Sequence, residues 1–522
     1  MITRSARAPG LAFEVVRPAI EPSPLRSDIA AFVGPTRRGP VRVPTRVEGW
    51  REYRRAFGEL DRDLDTPYSV RGYFENGGEV AWIYRTAPKG RDAVSSVTWD
   101  ATGLAGLEHR TFQIDAASPG PWSRRARIRI TYRGRTTTNT PTLDITIRTD
   151  DEIEEHRAIR ASSFVETINT SSRLIRVTPL DIVTPSLTRA FLIKELVLDA
   201  SGWIEAPAPE DYLDAIEAIS DVPEAAIIAF PDLHDVGLKA SDVYRAAAAS
   251  ADELHDRLVL VDLPRDPPPP HLRWHADAIT NWVNKDDPHD PEAIGLKRGE
   301  NDRSWAVRWW RSAALYHPWV RVVDPLGGVA QPTRDIPPSG HVAGVMSRLD
   351  RERGPHSTPA NAPTMGVIDL HEEYDEDEHA LLNPEGIDLL RCIPSLGFSV
   401  WGGRTLDRSA PFVAHRRLIH RLVRAIRRVA EPLVFEVNGP VLWFTFVRAV
   451  TAVLLEAWRS GSLSGSRPEE AFRVVCDETT NPPEQVDLGR CLCEIEVAPA
   501  IPMEFILIRV ALSRDGALEV LS

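Results

Sequence analysis

Cysteine is scarce in this chain. Cys392, Cys476, Cys491 and Cys493 are the only four in 522 residues, and none of their spacings is that of a zinc site. Free buried thiols in a reducing cytoplasm are the expected state, and Cys491-Leu492-Cys493 sets two thiols on one side of a strand. No leader is expected either. Met1-Ile2-Thr3-Arg4 runs into no apolar core of signal-peptide type. No window reads as a membrane span, so the sequence predicts a soluble protein made in the cytoplasm, with no direct membrane insertion. Positive charge is also short: a net charge of -13 argues against a general nucleic-acid binder. The hydrophobic content of 43% and charged content of 26% are those of ordinary globular protein. A length of 522 residues exceeds what one core can organise, so several domains are expected.

Residues 1–25 do not read as a domain. Leu11 to Val16 is a short strand pattern between Pro9-Gly10 and the series Pro18, Pro22, Pro24, and it cannot bury itself alone. In 26–85, Ile29 to Gly34 reads as a buried strand, Trp50 to Phe57 and Tyr68 to Glu75 as helices, and Ala81 to Arg85 as a strand. Gly77-Gly78 precedes a strand rather than a helix, so it is a tight turn and not a phosphate loop. Residues 86–200 change to period-two alternation, as in Ala126 to Tyr132 and Leu143 to Ile147, which predicts a β-rich insertion domain. Residues 201–390 return to α/β order. A strand at Ala225–Pro231, a helix at Val243–Asp256 and a strand at Leu258–Asp262 are spaced for a parallel crossover.

Residues 391–500 hold the densest pattern, and 501–522 form a second terminal arm. After Gly397 to Leu406 comes a basic helix over His415–Ala430, a short strand at Leu433–Val437, and a very apolar helix from Val441 to Ser460. At about 100° per residue, Leu418, Ile419, Leu422, Val423, Ile426 and Val429 share one side of the first helix. Arg416, Arg417, Arg421, Arg424, Arg427 and Arg428 share the other, within roughly 140° and with no acidic residue among them. A solvated face usually mixes signs, so an unmixed stripe on an acidic chain points to an acidic partner surface. The fold class is α/β (α+β), multidomain.

The carboxy-terminal region carries, in order, Val400-Trp401-Gly402-Gly403-Arg404-Thr405-Leu406, Val434 to Asn438, Leu455 to Gly461, Cys476-Asp477-Glu478-Thr479-Thr480-Asn481, Asp487-Leu488-Gly489-Arg490, Val497-Ala498-Pro499 and Pro502-Met503-Glu504-Phe505. In this order the motifs resemble those of contractile tail sheath proteins, of myophage tails and bacterial contractile injection systems. The resemblance extends upstream through Ala30 to Gly34, Arg38-Gly39-Pro40, Phe74 to Gly78, Ser118 to Trp122, Ser171 to Val177, Pro337 to Gly344 and Leu382 to Ile387. Residues 271–312 carry the least of it. The resemblance implies a subtilisin-like fold for 201–390 and an outward position for the insertion. It also implies a polymer of stacked six-fold rings around an inner tube that contracts to drive the tube through a target envelope. The implied partners are neighbouring sheath subunits, the inner tube protein, and baseplate and terminator or cap proteins, with no nucleic acid and no cofactor. The implied particle is a phage tail or phage-like injection device, with assembly expected in the producing bacterium's cytoplasm.

On this reading Arg416 to Arg428 face the tube, with the apolar helix Val441–Trp458 as the competing surface. Leu11, Phe13 and Val15 at one end, and Phe505, Leu507, Ile508 and Val510 at the other, are strands lent to neighbours. Two rival readings come from other classes. One is a serine hydrolase in the middle domain, prompted by Gly340-His341-Val342-Ala343-Gly344. Neither Gly-Thr-Ser nor Asp-Ser/Thr-Gly occurs, so the triad is incomplete and His341 reads as a capping or hydrogen-bonded structural residue. The other is a static tail-decoration protein. His271 and His275 lack a zincin glutamate, and Asp369 to His379 reads as an exposed acidic loop without a calcium-loop glycine. Catalytic, cofactor and metal residues are therefore all expected to be none.

Overall fold

The computed structural model describes residues 26–512 and 518–521, apart from 91, 103, 105, 108–110, 135–139, 181–192, 200–202, 235–239, 266–308, 408–409, 411 and 501–505. The amino-terminal arm with Leu11, Phe13 and Val15, the histidines 271 and 275, and Phe505 lie outside the described residues. Two compact units are present, one spanning Arg26–Arg421 and one beginning at Leu422. The break falls inside a helix rather than at 390/391. The reason is that the strands just after 386 belong to the sheet of the first unit.

That sheet has nine strands: β1 (Ala30–Gly34), β2 (Thr45–Glu48), β3 (Val80–Arg85), β13 (Ile227–Ala229), β14 (Leu258–Asp262), β15 (Ala313–His317), β18 (Ala362–Pro363), β20 (Ile387–Ile393) and β21 (Gly397–Val400). Their spatial order is β18-β21-β20-β15-β14-β13-β1-β3-β2. From β3 through β20 the neighbours are parallel, so both faces must be covered. Ala30 and Phe32 of β1 pack on one face under α2 (Thr66–Glu75) and α6 (Ser339–Arg353), with Tyr73, Val342, Val345 and Met346. Ala31 and Val33 pack on the other under α4 (Pro209–Ser220) and α5 (Ala240–Leu254), with Tyr212, Val243 and Ala247. Helix α1 (Trp50–Phe57) adds Tyr53 and Phe57 to the first face. The α5 crossover between β13 and β14 has the expected parallel geometry.

Tight spots explain several glycines. A Cβ on Gly78 would lie 2.2 Å from the Tyr73 ring, and Gly77 has φ of 109°, so the turn before β3 requires both. The start of α2 is capped from far away. Its N-cap residue Asp65 makes no side-chain cap, and the Asp232 carboxylate beyond β13 accepts the N–H groups of Asp65 and Thr66, both at 2.7 Å.

The insertion contains β4 (Asp92–Ala93), β5 (Ser96–Asp100), β6 (Thr111–Ala116), β7 (Arg127–Arg133), β8 (Thr142–Arg148), β9 (Ile153–Arg160), α3 (Phe164–Ser171), β10 (Ile175–Leu180), β11 (Ile193–Val197) and β12 (Trp203–Ile204). They form sheets β10-β6-β5 and β11-β7-β8-β9 and the pair β12-β4. The alternation puts Ile128, Ile130, Ile145 and Ile147 into one core with Trp99, Phe112 and Phe164. Two segments that carried the resemblance meet here. Gly39 N–H donates to Ser118 Oγ at 3.0 Å, and the buried Arg85 donates to the carbonyls of Gly39 and Pro119. A small sheet of β16 (Val320–Val323), β17 (Thr333–Ile336) and β19 (Val367–Leu370) completes the unit. The acidic run after β19 is ordered in part. Asp375 and Glu378 form a reciprocal cap on α7 (Glu376–Leu382), and Tyr374 Oη donates to Glu372 at 2.5 Å.

Helix α8 (Val413–Ala430) begins in the first unit and ends in the second, and α9 (Pro440–Arg459) belongs to the second. No strand forms at 433–437. The chain there makes a 3-10 turn, Glu431–Leu433, and then an irregular segment in which Phe435 adopts φ of 76°. Its apolar alternation has no ladder to join, so Phe435 and Val437 stand in solvent, 95% and 86% exposed. Helix α9 also has the length and hydropathy of a membrane span, against the expectation that no window would. The unit closes with the antiparallel sheet β22 (Phe472–Val475), β23 (Cys491–Val497), β24 (Ile506–Leu512) and β25 (Leu518–Leu521). Cys392 is exposed, unlike the other three cysteines, because it lies near the turn that joins β20 to β21.

Candidate functional site

The six arginines of α8 do not make one exposed stripe. Arg416, Arg417 and Arg424 are 7%, 3% and 5% exposed, Arg421 and Arg427 are half-buried, and only Arg428 is open to solvent. Two of the buried guanidiniums meet carboxylates within the first unit. Arg416 donates to Asp252 and to Ser312 Oγ at 3.2 Å each, and Arg417 donates to Asp350 at 2.7 Å and to the Ser27 carbonyl. Burial, together with the neighbouring Arg311, lowers Arg416 to about 9, while burial pushes the Asp350 carboxyl up. These are structural pairs. Their acceptors lie 164 and 67 positions away in sequence, so the helix pattern alone could not reveal them.

Helix α9 presents the opposite picture. Leu442, Trp443, Phe446, Val450, Val453 and Leu454 are buried on one side. On the other side Val441 is 82% and Phe444 70% exposed, in line with the exposed Thr445, Arg448, Ala452 and Glu456. Phe435 and Val437 extend the apolar area in the preceding turn. That turn is fastened by Asn438, whose Oδ1 accepts from Trp443 Nε1 and whose Nδ2 donates to the Arg490 carbonyl, both at 2.9 Å. Pro440 at the first turn of α9 lacks only an N–H that would have had no helical partner.

Beside α9 runs a groove of about 590 Å³, lined by Trp443, Phe444 and Val447 on one wall and by Val474 to Thr479 on the other. The second wall is held by the Cys476 to Asn481 motif. Asp477 accepts from Thr479 N and Oγ1, bonds that hold its carboxyl below the usual range. Asn481 closes a two-way bond with the backbone of Leu492, at 2.5 Å and 2.9 Å. The motif therefore shapes a turn and clamps β23. The signal that could have identified this surface was a run of apolar residues too frequent for a one-sided helix, Val441 to Phe446.

The carboxy-terminal strand pairs within its own chain. Along β23, Glu496 faces Leu507, Ile495 faces Ile508 and Cys493 faces Val510. Lending this strand to a neighbour would require a second copy to supply the same register.

His341 is neither a cap nor a hydrogen-bonded residue. Both ring nitrogens are buried without a partner, burial lowers the group to about 4, and the ring fills the space left by Gly72, where a Cβ would come within 2.4 Å of it. A separate cleft of about 1150 Å³ opens near the carboxyl ends of β13 and β14, lined by Arg62, Asp65, His234, Trp319 and Arg334. Its charges are matched internally: Arg334 pairs with Asp65, and Arg62 with Asp324 at 3.0 Å.

No family model matches the chain. A stretch of 190 residues is 29% identical to the tail sheath protein of Vibrio phage KVP40, covering 35% of this chain and 27% of that one. The tail sheath protein of Enterobacteria phage T4 is 26% identical over 190 residues, covering 28% of its length. The matched stretch thus spans little more than a quarter of these curated relatives. Among solved structures, the sheath tail protein of Listeria innocua superposes with a TM-score of 0.63 at 11% identity, covering 93% of this chain and 95% of that one. The helical sheath of the anti-feeding prophage in its contracted state superposes with a TM-score of 0.55 at 20% identity, covering 97% and 98%. The chain has the α/β multidomain fold of contractile tail sheath proteins, and the proteins it resembles are sheaths of phage tails and phage-like particles.

Proposed function

We propose that this chain is the sheath subunit of a contractile, phage-tail-like particle. It polymerises as stacked six-fold rings around an inner tube and contracts to drive that tube through a target envelope. The observation that carries this reading is the extent of the sheath fold, which runs along nearly the whole chain rather than one module. The driving energy is stored in contacts between subunits that have a second, lower-energy packing, so no nucleotide or cofactor is required. Subunits assemble in the producing cell's cytoplasm on a baseplate and end at a terminator or cap.

The outer face of α9, with Val441, Phe444 and the turn residues Phe435 and Val437, is the surface that holds the tube. Fully burying four such side chains contributes about 6–12 kcal/mol per subunit before the costs of association. That is enough for many weak copies to grip in register. The amino-terminal arm, residues 1–25, links neighbouring subunits, and the strand Ile506–Leu512, which pairs with β23 of its own chain in the isolated subunit, does so by moving onto β23 of a neighbour in the same register. The middle domain has no hydrolytic role.

Co-expression with the inner tube, cap and baseplate followed by negative-stain microscopy tests the reading. Tube-filled cylinders are expected from the wild-type chain. Protein that stays monomeric beside tube, cap and baseplate would overturn it. A serine labelled by a fluorophosphonate in the folded protein, and lost in His341→Ala, would overturn the non-enzymatic assignment.

A further inference from the structure

Three of the four cysteines meet in the carboxy-terminal unit. Cys476 follows the end of β22, and Cys491 and Cys493 lie on one face of β23. They are 8%, 3% and 0% exposed. Cys476 Sγ lies 3.7 Å from Cys491 Sγ, and Asn481 Nδ2 donates to Cys476 Sγ at 3.6 Å. A disulfide sets its sulfurs about 2.05 Å apart, so closure asks for less than about 2 Å of approach. The two cysteines are 15 positions apart, and the connection between them begins with the Asp477 turn that forms one wall of the groove beside α9.

We propose that Cys476 and Cys491 are an oxidation site for hydroperoxides, closing to an intramolecular disulfide that fastens the 477–490 connection. Cys476 reacts first because it is the most accessible of the three and has the Asn481 amide to support its thiolate. Its sulfur attacks one oxygen of hydrogen peroxide, the O–O bond breaks, and hydroxide leaves and is protonated to water. The sulfur is now a sulfenic acid, two electrons more oxidised. Cys491 attacks that sulfur, the S–O bond breaks, and a second water leaves with the Cys491 proton. Two thiols and one peroxide thus give one disulfide and two waters.

The hydrogen bond from Cys491 lowers the Cys476 thiol, but the contact with Cys493 and burial outweigh it and push the group up to about 12. Little thiolate exists at neutral pH, so the pair stays open in a reducing cytoplasm and closes slowly under sustained oxidant. The chemistry does not depend on how the protein assembles.

Full-length protein treated with hydrogen peroxide, alkylated with iodoacetamide and digested without reductant decides the matter. The expected product is a Cys476–Cys491 linked peptide with Cys493 alkylated. Amide exchange across 477–490 slows by about tenfold or more once the local opening is tethered. Cys493→Ala keeps the link, and Cys491→Ala leaves a sulfenic acid at Cys476 that dimedone traps. Three results would overturn the assignment: Cys476 and Cys491 both alkylated after Cys392 is oxidised, a Cys476–Cys493 link instead, or unchanged amide exchange in the linked protein. The wild-type mapping decides even where a variant fails to fold.

Discussion

Helices α8 and α9 invert what their sequences advertise. The helix with six arginines hides three of them, whereas the helix rich in Val, Leu, Phe and Trp keeps a whole side in water. Segregated charge on a helix is therefore weak evidence of exposure when distant carboxylates can reach it. Asp252 and Asp350 do so here, and each turns a would-be surface cation into an internal partner. Exposed apolar residues are harder to explain internally. Phe435, Val437, Val441 and Phe444 gain nothing from solvent, and their clustering calls for something to cover them.

Each half of that contrast can be broken. The largest effect is expected on assembly. The double substitution Val441→Asp and Phe444→Asp should leave the monomer folded while tube-filled cylinders fall by more than about tenfold, as loss of an aromatic anchor commonly does. Arg428→Glu on the other helix should change cylinder counts little. Equal losses from both would erase the distinction. Deleting residues 1–20 is expected to yield a soluble, folded monomer that forms no long sheaths. Normal sheath length from the truncated chain, measured by microscopy, would remove the arm from the mechanism.

Stability sharpens the contrast next. Arg417→Ala leaves Asp350 buried without its cation and should cost about 3–5 kcal/mol in denaturant unfolding. An exposed arginine such as Arg428 should cost about 0.5 kcal/mol or less. Asn481→Ala removes both bonds to the Leu492 backbone and is expected to cost about 1–3 kcal/mol.

The smallest effect concerns pH. Burial pushes the Asp262 carboxyl up to about 7, well above an unfolded carboxyl near 3.9. The folded state therefore holds that proton more tightly. Its stabilising contribution is complete below the unfolded value and is lost as pH rises through about 7. Asp262→Asn should flatten this slope in melting temperature between those limits, and an unchanged slope would assign it to other groups.

Elements whose residues decide their own environment were legible in the sequence. The run Ala30 to Gly34 is apolar on both faces and can only be a central strand, and Trp50 to Phe57 is stopped by Gly58 where the pattern ends. The alternation in Arg127–Arg133 separated inner from outer side chains correctly. What stayed hidden depends on partners far along the chain. The α8 arginines needed Asp252 and Asp350, and Leu433–Val437 looked like a strand because its alternation says nothing about whether a ladder exists. His341 looked polar, but its position was set by the missing side chain of Gly72. At the candidate site, the apolar helix was visible as a rival surface, while the wall formed by Asp477 to Asn481 required the fold.

The cap on α2 has a bearing on how the chain is made. Thr66 waits for a carboxylate that is translated 166 residues later. At about 5–20 residues per second, that interval on the ribosome lasts roughly 8–33 s. Over the same period β1, whose five residues are all buried in the finished sheet, can pair with β3 but not yet with β13. The nascent amino-terminal third therefore emerges with one bare apolar edge and an unfinished helix start. Synthesis of β13 and the loop bearing Asp232 closes both at once.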